Sequence, residues 1–186
     1  MHPQFQIGIN GNKYLKSKGV DNVKDYTIPF KGLRLGEHPF EWELNKKFFE
    51  NADYSEILDC DLLINLILDK KERMMELYFR INGRISVQCD RCLGPLELPV
   101  DITEDYFVKI GAEREEESEE VLVIPESDYE IDVAPLIFDY VLLSVPIKKV
   151  HKHKSDCDQE MLKKLEELKG GQSTDPRWDA LKNIKL

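Results

Sequence analysis

No stretch of this chain approaches the roughly 18–20 uncharged apolar residues that a membrane-spanning helix needs. The longest apolar run, residues 62–68, is interrupted by Asn65. The opening residues, Met1-His2-Pro3-Gln4, are not a basic region followed by an apolar core, so no signal peptide is expected. A phosphate loop ending in Gly-Lys-Ser/Thr is missing, as are G-x-S-x-G and H-E-x-x-H. With four histidines, and carboxylates that sit mostly in solvated runs, general-base candidates are few. These absences argue against an enzyme and against a small-molecule substrate. Cysteine is also scarce. Four thiols without an export signal suggest reduced cysteines or metal ligands rather than a disulfide framework. The expectation is a soluble, cytoplasmic protein with no membrane partner.

What is present suits one domain over residues 1–186. Apolar residues make up 41% of the 186 and charged residues 33%, which provides a core and excludes a disordered chain. The net charge of −10 is unevenly spread. Residues 1–100 carry 14 basic and 15 acidic side chains, residues 101–132 carry 2 and 13, and residues 143–186 carry 10 and 7. A phosphate backbone is repelled by the middle segment and tolerated at the end.

The first two thirds read as strands. Phe5, Ile7 and Ile9 alternate with polar or small residues, and residues 10–24 look like an exposed loop. Tyr26, Ile28 and Phe30 alternate, as do Phe40, Trp42 and Leu44. Cys60, Leu62, Ile64, Leu66 and Leu68 form the clearest row. Met75, Leu77, Phe79 and Ile81 form a second, and Ile85, Val87 and Cys89 a third. Asn82-Gly83 is a strong turn signal, and a three-residue loop, Ile81-Asn82-Gly83, keeps both flanking rows on one face. A hairpin closing there is therefore expected. A further strand begins with Leu96, Leu98, Val100 and Ile102 and continues through Tyr106, Val108 and Ile110. Residues 111–120, dense in like charges, read as an acidic loop.

Helices come late. Asp132 is placed to cap a helix with Pro135 in its first turn and a stripe of Val133, Leu136, Ile137, Tyr140, Val141 and Ser144; Pro146 ends it. Residues 160–169 read as a second amphipathic helix, stopped by Gly170-Gly171, and residues 170–186 as a basic, aromatic tail. The fold class expected is α+β, a mainly antiparallel twisted sheet with two or three helices in the C-terminal third.

The sharpest chemical feature is Cys89-Asp90-Arg91-Cys92, in which two thiolates converge on one ion from a tight turn. Cys157 and one of His151 and His153 complete a closed Cys3His set, the kind that holds one structural zinc. Against it stand a free-thiol reading and a redox reading. A redox C-x-x-C pair takes its low pKa from a helix N-terminus, and here Leu93-Gly94-Pro95 and another strand follow. Lys148, Lys149, Lys152 and Lys154 form a basic patch that suits phosphate contacts or an exposed linker. Trp178, between Arg177 and Lys182, suits stacking on a base or anchoring of the tail.

In combination these parts resemble the YceD family, the large ribosomal RNA subunit accumulation proteins. The resemblance is carried by the order Cys89-Asp90-Arg91-Cys92-Leu93, Glu130-Ile131-Asp132-Val133, Leu143-Ser144-Val145-Pro146-Ile147, His151 and Cys157, and the ending Asp175-Pro176-Arg177-Trp178-Asp179-Ala180-Leu181-Lys182. Residues 26–49 are similar to the N-terminal part of members from Bacteroidetes-like bacteria. The resemblance implies a non-catalytic bacterial factor that supports 23S rRNA accumulation or processing during large-subunit assembly. Its matching positions are Cys89, Arg91, Cys92, Asp132, Pro146, His151 and Cys157, with His151 the histidine whose position fits the family. The partner expected is precursor 23S rRNA or a large-subunit ribosomal protein, met by the basic C-terminal third through Arg91, Lys148, Lys149, Lys152, Lys154, Arg177, Trp178 and Lys182, with residues 101–132 facing away. The alternatives are a thiol-redox or metal-handling protein using Cys89 and Cys92, and an acidic chaperone for a basic ribosomal protein.

Overall fold

A computed structural model describes residues 26–50, 56–113, 115–118 and 120–168. The strands are β1 (Thr27–Ile28), β2 (Gly36–Asn45), β3 (Ile57–Lys70), β4 (Met74–Gln88), β5 (Pro95–Gly111), β6 (Glu115–Ser118), β7 (Val121–Pro125) and β8 (Ile131–Asp132). The helices are α1 (Ala134–Ser144) and α2 (Gln159–Leu168). Six strands form one sheet in the order β2-β3-β4-β5-β7-β6, and β1 pairs with β8 in a two-stranded ribbon. Within the large sheet only β5–β7 is parallel. The α+β class and the mainly antiparallel sheet agree with the sequence reading. Among the described residues no helix is long and apolar enough to cross a membrane.

Period-two patterning explains the long strands. Leu62, Ile64, Leu66 and Leu68 on β3 lie opposite Gly83, Ile81, Phe79 and Leu77 on β4, and all these apolar side chains are buried. Each such side chain contributes roughly 2 kcal/mol by leaving water. On the same face α1 packs Ile137 and Val141 into the core, and Tyr140 meets Phe79 edge-on at 5.4 Å between ring centroids. Phe138 meets Phe49 at 5.6 Å.

The expected hairpin at 81–83 is not formed. β4 runs straight through Asn82-Gly83, and the apolar row from Met75 to Cys89 never changes parity, which is the mark of one strand. Gly83 is there for closeness. It adopts φ +143°, and a Cβ on it would lie 2.1 Å from the Asp61 carbonyl oxygen on β3. The true reversals are residues 71–73, between β3 and β4, and residues 89–94, between β4 and β5.

The charge run read as an acidic loop also contains structure. β6 lies within it and pairs antiparallel with β7 at the edge of the sheet. Asp132 does serve the start of α1, since its Oδ1 accepts from Ala134 N at 3.0 Å. The second helix starts one residue earlier than expected, where Asp158 Oδ1 accepts from Glu160 N and Met161 N at 2.9 and 3.1 Å. The strand expected at residues 5–9, the loop at 10–24 and the tail at 170–186 lie outside the described residues.

Candidate metal centre

The β4–β5 reversal is a six-residue turn in which Cys89 N donates to Gly94 O (2.9 Å) and Leu93 N to Cys89 O (2.8 Å). Leu93 closes it at φ +60°, a left-handed conformation that costs about 1 kcal/mol for a residue with a Cβ. A second segment is tied beside this turn. Asp90 N donates to Lys149 O (2.7 Å), and Lys149 N donates back to Asp90 Oδ2 (2.6 Å). The Lys149 ammonium pairs with Glu56 and lies 3.9 Å from Asp90 Oδ1. These bonds bring His151, and after the short 3-10 turn Lys154–Asp156 also Cys157, over the two thiols of the turn.

The ligand atoms of Cys89, Cys92, His151 and Cys157 all lie within 4.8 Å of one another. His151 Nδ1 is 3.7 Å from Cys92 Sγ and 3.6 Å from Cys157 Sγ. Zinc–sulfur bonds of about 2.3 Å and a zinc–nitrogen bond of about 2.05 Å at the tetrahedral angle require an N···S separation of about 3.6 Å. These two separations match four-coordinate metal, and all four ligand atoms are close enough to share one ion. The other face of the imidazole supports the same conclusion. His151 Nε2 lies 3.1 Å from the Pro95 carbonyl oxygen, which needs a proton on Nε2 and so leaves the Nδ1 lone pair facing the sulfurs. His153 is exposed and stands outside the cluster, at the cap of the 3-10 turn.

Electrostatics favour thiolate at one ligand. Burial opposes ionisation of Cys89, but backbone N–H groups of Arg91, Cys92 and His151 aimed at its sulfur outweigh that penalty and bring its pKa down to about 6. Burial and the neighbouring Cys92 push the Cys157 thiol up, against the opposing pull of the Arg91 guanidinium, whose Nη1 donates to Cys157 Sγ at 3.6 Å. A divalent cation held by these residues would resolve this conflict by taking the place of the thiol protons. The fourth cysteine, Cys60, belongs to the core row of β3. Burial, with Asp59 and Asp61 beside it, raises its pKa to about 12, and it takes no part in the centre.

The basic candidates divide. Lys148, Lys152 and Lys154 are exposed, whereas Lys149 is held by Glu56 and Asp90 and Arg91 is turned onto Cys157. Arg177, Trp178 and Lys182 lie outside the described residues. Sequence reasoning missed three supports of the centre, the Pro95 carbonyl, Asp90 and Glu56. Asp90 lies within the cysteine pair and Pro95 just after it, but only the fold shows that they meet residues 149–151. The acidic β6 and the thiol-bearing turn lie toward opposite ends of the β4–β5 ladder, while Asp101, Glu104 and Asp105 of the acidic segment stand along its middle. The thiols adjoin the Gln88–Pro95 pair, while β7 and β6 join beside Phe107 and Lys109. The intervening ladder is about 45 Å of strand.

No curated protein and no solved structure matches this chain. The family described as large ribosomal RNA subunit accumulation protein YceD matches residues 77–185, which include most of β4, the whole thiol cluster and both helices. The match takes in more than half of the chain, and the protein is a member of the YceD family.

Proposed function

We propose that the protein is a non-catalytic cytoplasmic factor that supports 23S rRNA accumulation and large-subunit assembly by binding precursor rRNA. The family match over residues 77–185 carries this reading. The contact is assigned to the exposed lysines 148, 152 and 154, with Arg177, Trp178 and Lys182 following in the tail. Phosphate affinity follows local charge, and the acidic end of the sheet lies a ladder's length away. The whole chain acts as one domain.

Zinc is the ion proposed for the Cys3His cluster, because three thiolates and an imidazole in a closed tetrahedron are its preferred structural set. With no open position, such an ion is structural. Cys89, Cys92, Cys157 and His151 then clamp the β4–β5 turn to the segment that bears the lysines, and Arg91 balances the negative charge of three thiolates. The same burial weighs against the redox reading. Thiol–disulfide exchange needs an accessible sulfur, while Cys89 is 0% and Cys92 2% exposed, and a strand rather than a helix follows them.

Cross-linking of the purified protein to large-subunit precursor particles tests the assignment of the contact. RNA adducts on residues 148–154 and the tail are expected. RNA adducts confined to residues 111–120 would reverse this orientation, and an absence of RNA adducts with a ribosomal protein still captured after nuclease treatment would replace direct RNA binding with the acidic-chaperone reading.

A further inference from the structure

The face of the large sheet opposite the core is covered by no element among the described residues. Its side chains can be read from the register. Pro39, Ile67 and Tyr78 stand side by side across β2, β3 and β4. Phe107 on β5, opposite Glu76, is the diagonal neighbour of Tyr78 and lies beside Val121 on β7. An apolar band thus crosses five strands. Ile67 is 42% and Tyr78 38% exposed, high for a band this continuous. The Tyr78 hydroxyl donates to Glu76, which also pairs with Lys71, so the ring is fixed in place.

The surroundings of the band are predominantly acidic, with Arg80 and Lys109 the basic strand positions that adjoin it. Of the outward strand positions on β2 to β5, ten are acidic and only three basic. Asp105 stands opposite Tyr78, and Asp69 opposite Glu76. This charge selects the occupant. A nucleic acid or an anionic membrane is repelled, and a second copy presenting the same face meets its own negative charge. A cationic polypeptide satisfies both features, its Lys or Arg side chains meeting the carboxylates and its apolar side chains seating on Ile67 and Tyr78.

We propose that this face docks a Lys/Arg-rich protein segment carrying apolar anchors. This goes beyond the rRNA reading and depends neither on the lysine-bearing end nor on the metal centre. It gives the molecule two contact surfaces of opposite charge.

The test uses the full chain and two fluorescent synthetic peptides of equal length and charge, one alternating lysine with leucine and the other lysine with serine. Binding is followed by anisotropy, and the face by hydroxyl-radical labelling of Tyr78. The expected results are labelling of Tyr78 in the free chain, its loss with the lysine–leucine peptide, and at least tenfold weaker binding of the lysine–serine peptide. Two double variants, Ile67→Thr with Tyr78→Thr and Glu41→Gln with Asp105→Asn, change exposed positions while keeping the cores of their strands. Each is expected to weaken lysine–leucine binding at least fivefold with a melting temperature within about 2 °C of wild type. The proposal is overturned by equal affinity for the two peptides, by unchanged affinity in both double variants, or by a Tyr78 that is unlabelled in the free chain. Protection of Tyr78 by a single-stranded RNA oligonucleotide, or by self-association, would also overturn it.

Discussion

Replacing Cys92 by serine removes one of the three sulfurs while leaving its volume nearly filled, and its effect can be estimated from the fold. A bound ion would join the β4–β5 turn to a segment far along the chain; Cys92 and His151 are separated by 59 positions. A cross-link closing a loop of that size limits the unfolded chain by about 4 kcal/mol. The Asp90–Lys149 backbone pair keeps part of the closure without metal, so this figure is an upper bound. For a protein of this length each kcal/mol moves the melting temperature by about 2–4 °C, which gives a fall of up to roughly 8–16 °C. The assay is calorimetric melting of three samples, the protein as purified, the same protein after chelation, and Cys92→Ser. One zinc per chain is expected in the first and none in the others, and the latter two should melt together. Absence of metal from the purified protein, or melting temperatures within about 2 °C across the three samples, would refute the structural-zinc argument.

Other consequences are as specific. His151→Ala should lose the metal and melt with Cys92→Ser, while His153→Ala keeps zinc at one per chain by elemental analysis, because only the His151 ring faces the sulfurs. Gly83→Ala should cost about 3 kcal/mol or more in urea unfolding, because the new Cβ meets the Asp61 carbonyl in a backbone conformation that side chains rarely adopt. Burial alone holds the Asp139 carboxyl above its usual range, so ionisation opposes folding as pH rises through that range. Asp139→Asn should therefore melt higher than wild type at pH 7, with the difference closing as the pH falls below about 4. Changing Lys148, Lys152 and Lys154 together to glutamine should weaken RNA binding and flatten its log–log salt dependence by about 2 units for single-stranded RNA, measured by filter binding. Lys149→Ala should instead lower the melting temperature, since its ammonium is already committed to Glu56 and Asp90.

Much of this architecture can be read from alternation alone. The rows on β3 and β5 and the Asp132 start of α1 follow from residue order. The error at Asn82-Gly83 is instructive, because a dipeptide that favours a turn sits in a row whose parity it never interrupts. In a strand flanked on both sides, a glycine serves closeness between backbones instead of reversal. β6 was hidden by its charges, since pairing with β7 depends on a partner six residues or so away and not on its own apolar pattern. At the metal centre, Cys89, Cys92 and Cys157 were legible as thiols of a possible ligand set. The geometric choice between His151 and His153 was not, since it rests on the Pro95 carbonyl across the turn. The basic run looked uniform in sequence, yet one of its four lysines is held by carboxylates from Glu56 and Asp90, contacts made only in three dimensions.

The central claim is that this YceD-family chain acts on the maturing large ribosomal subunit. Its most direct measurement is sucrose-gradient profiling of a strain depleted of the protein, with the tagged protein followed across the same fractions of the replete strain. The account predicts fewer mature large subunits and lower 23S rRNA on depletion, with the protein sedimenting among precursor particles. Unchanged large subunits and 23S rRNA, with the protein remaining at the top of the gradient at low salt, would contradict it.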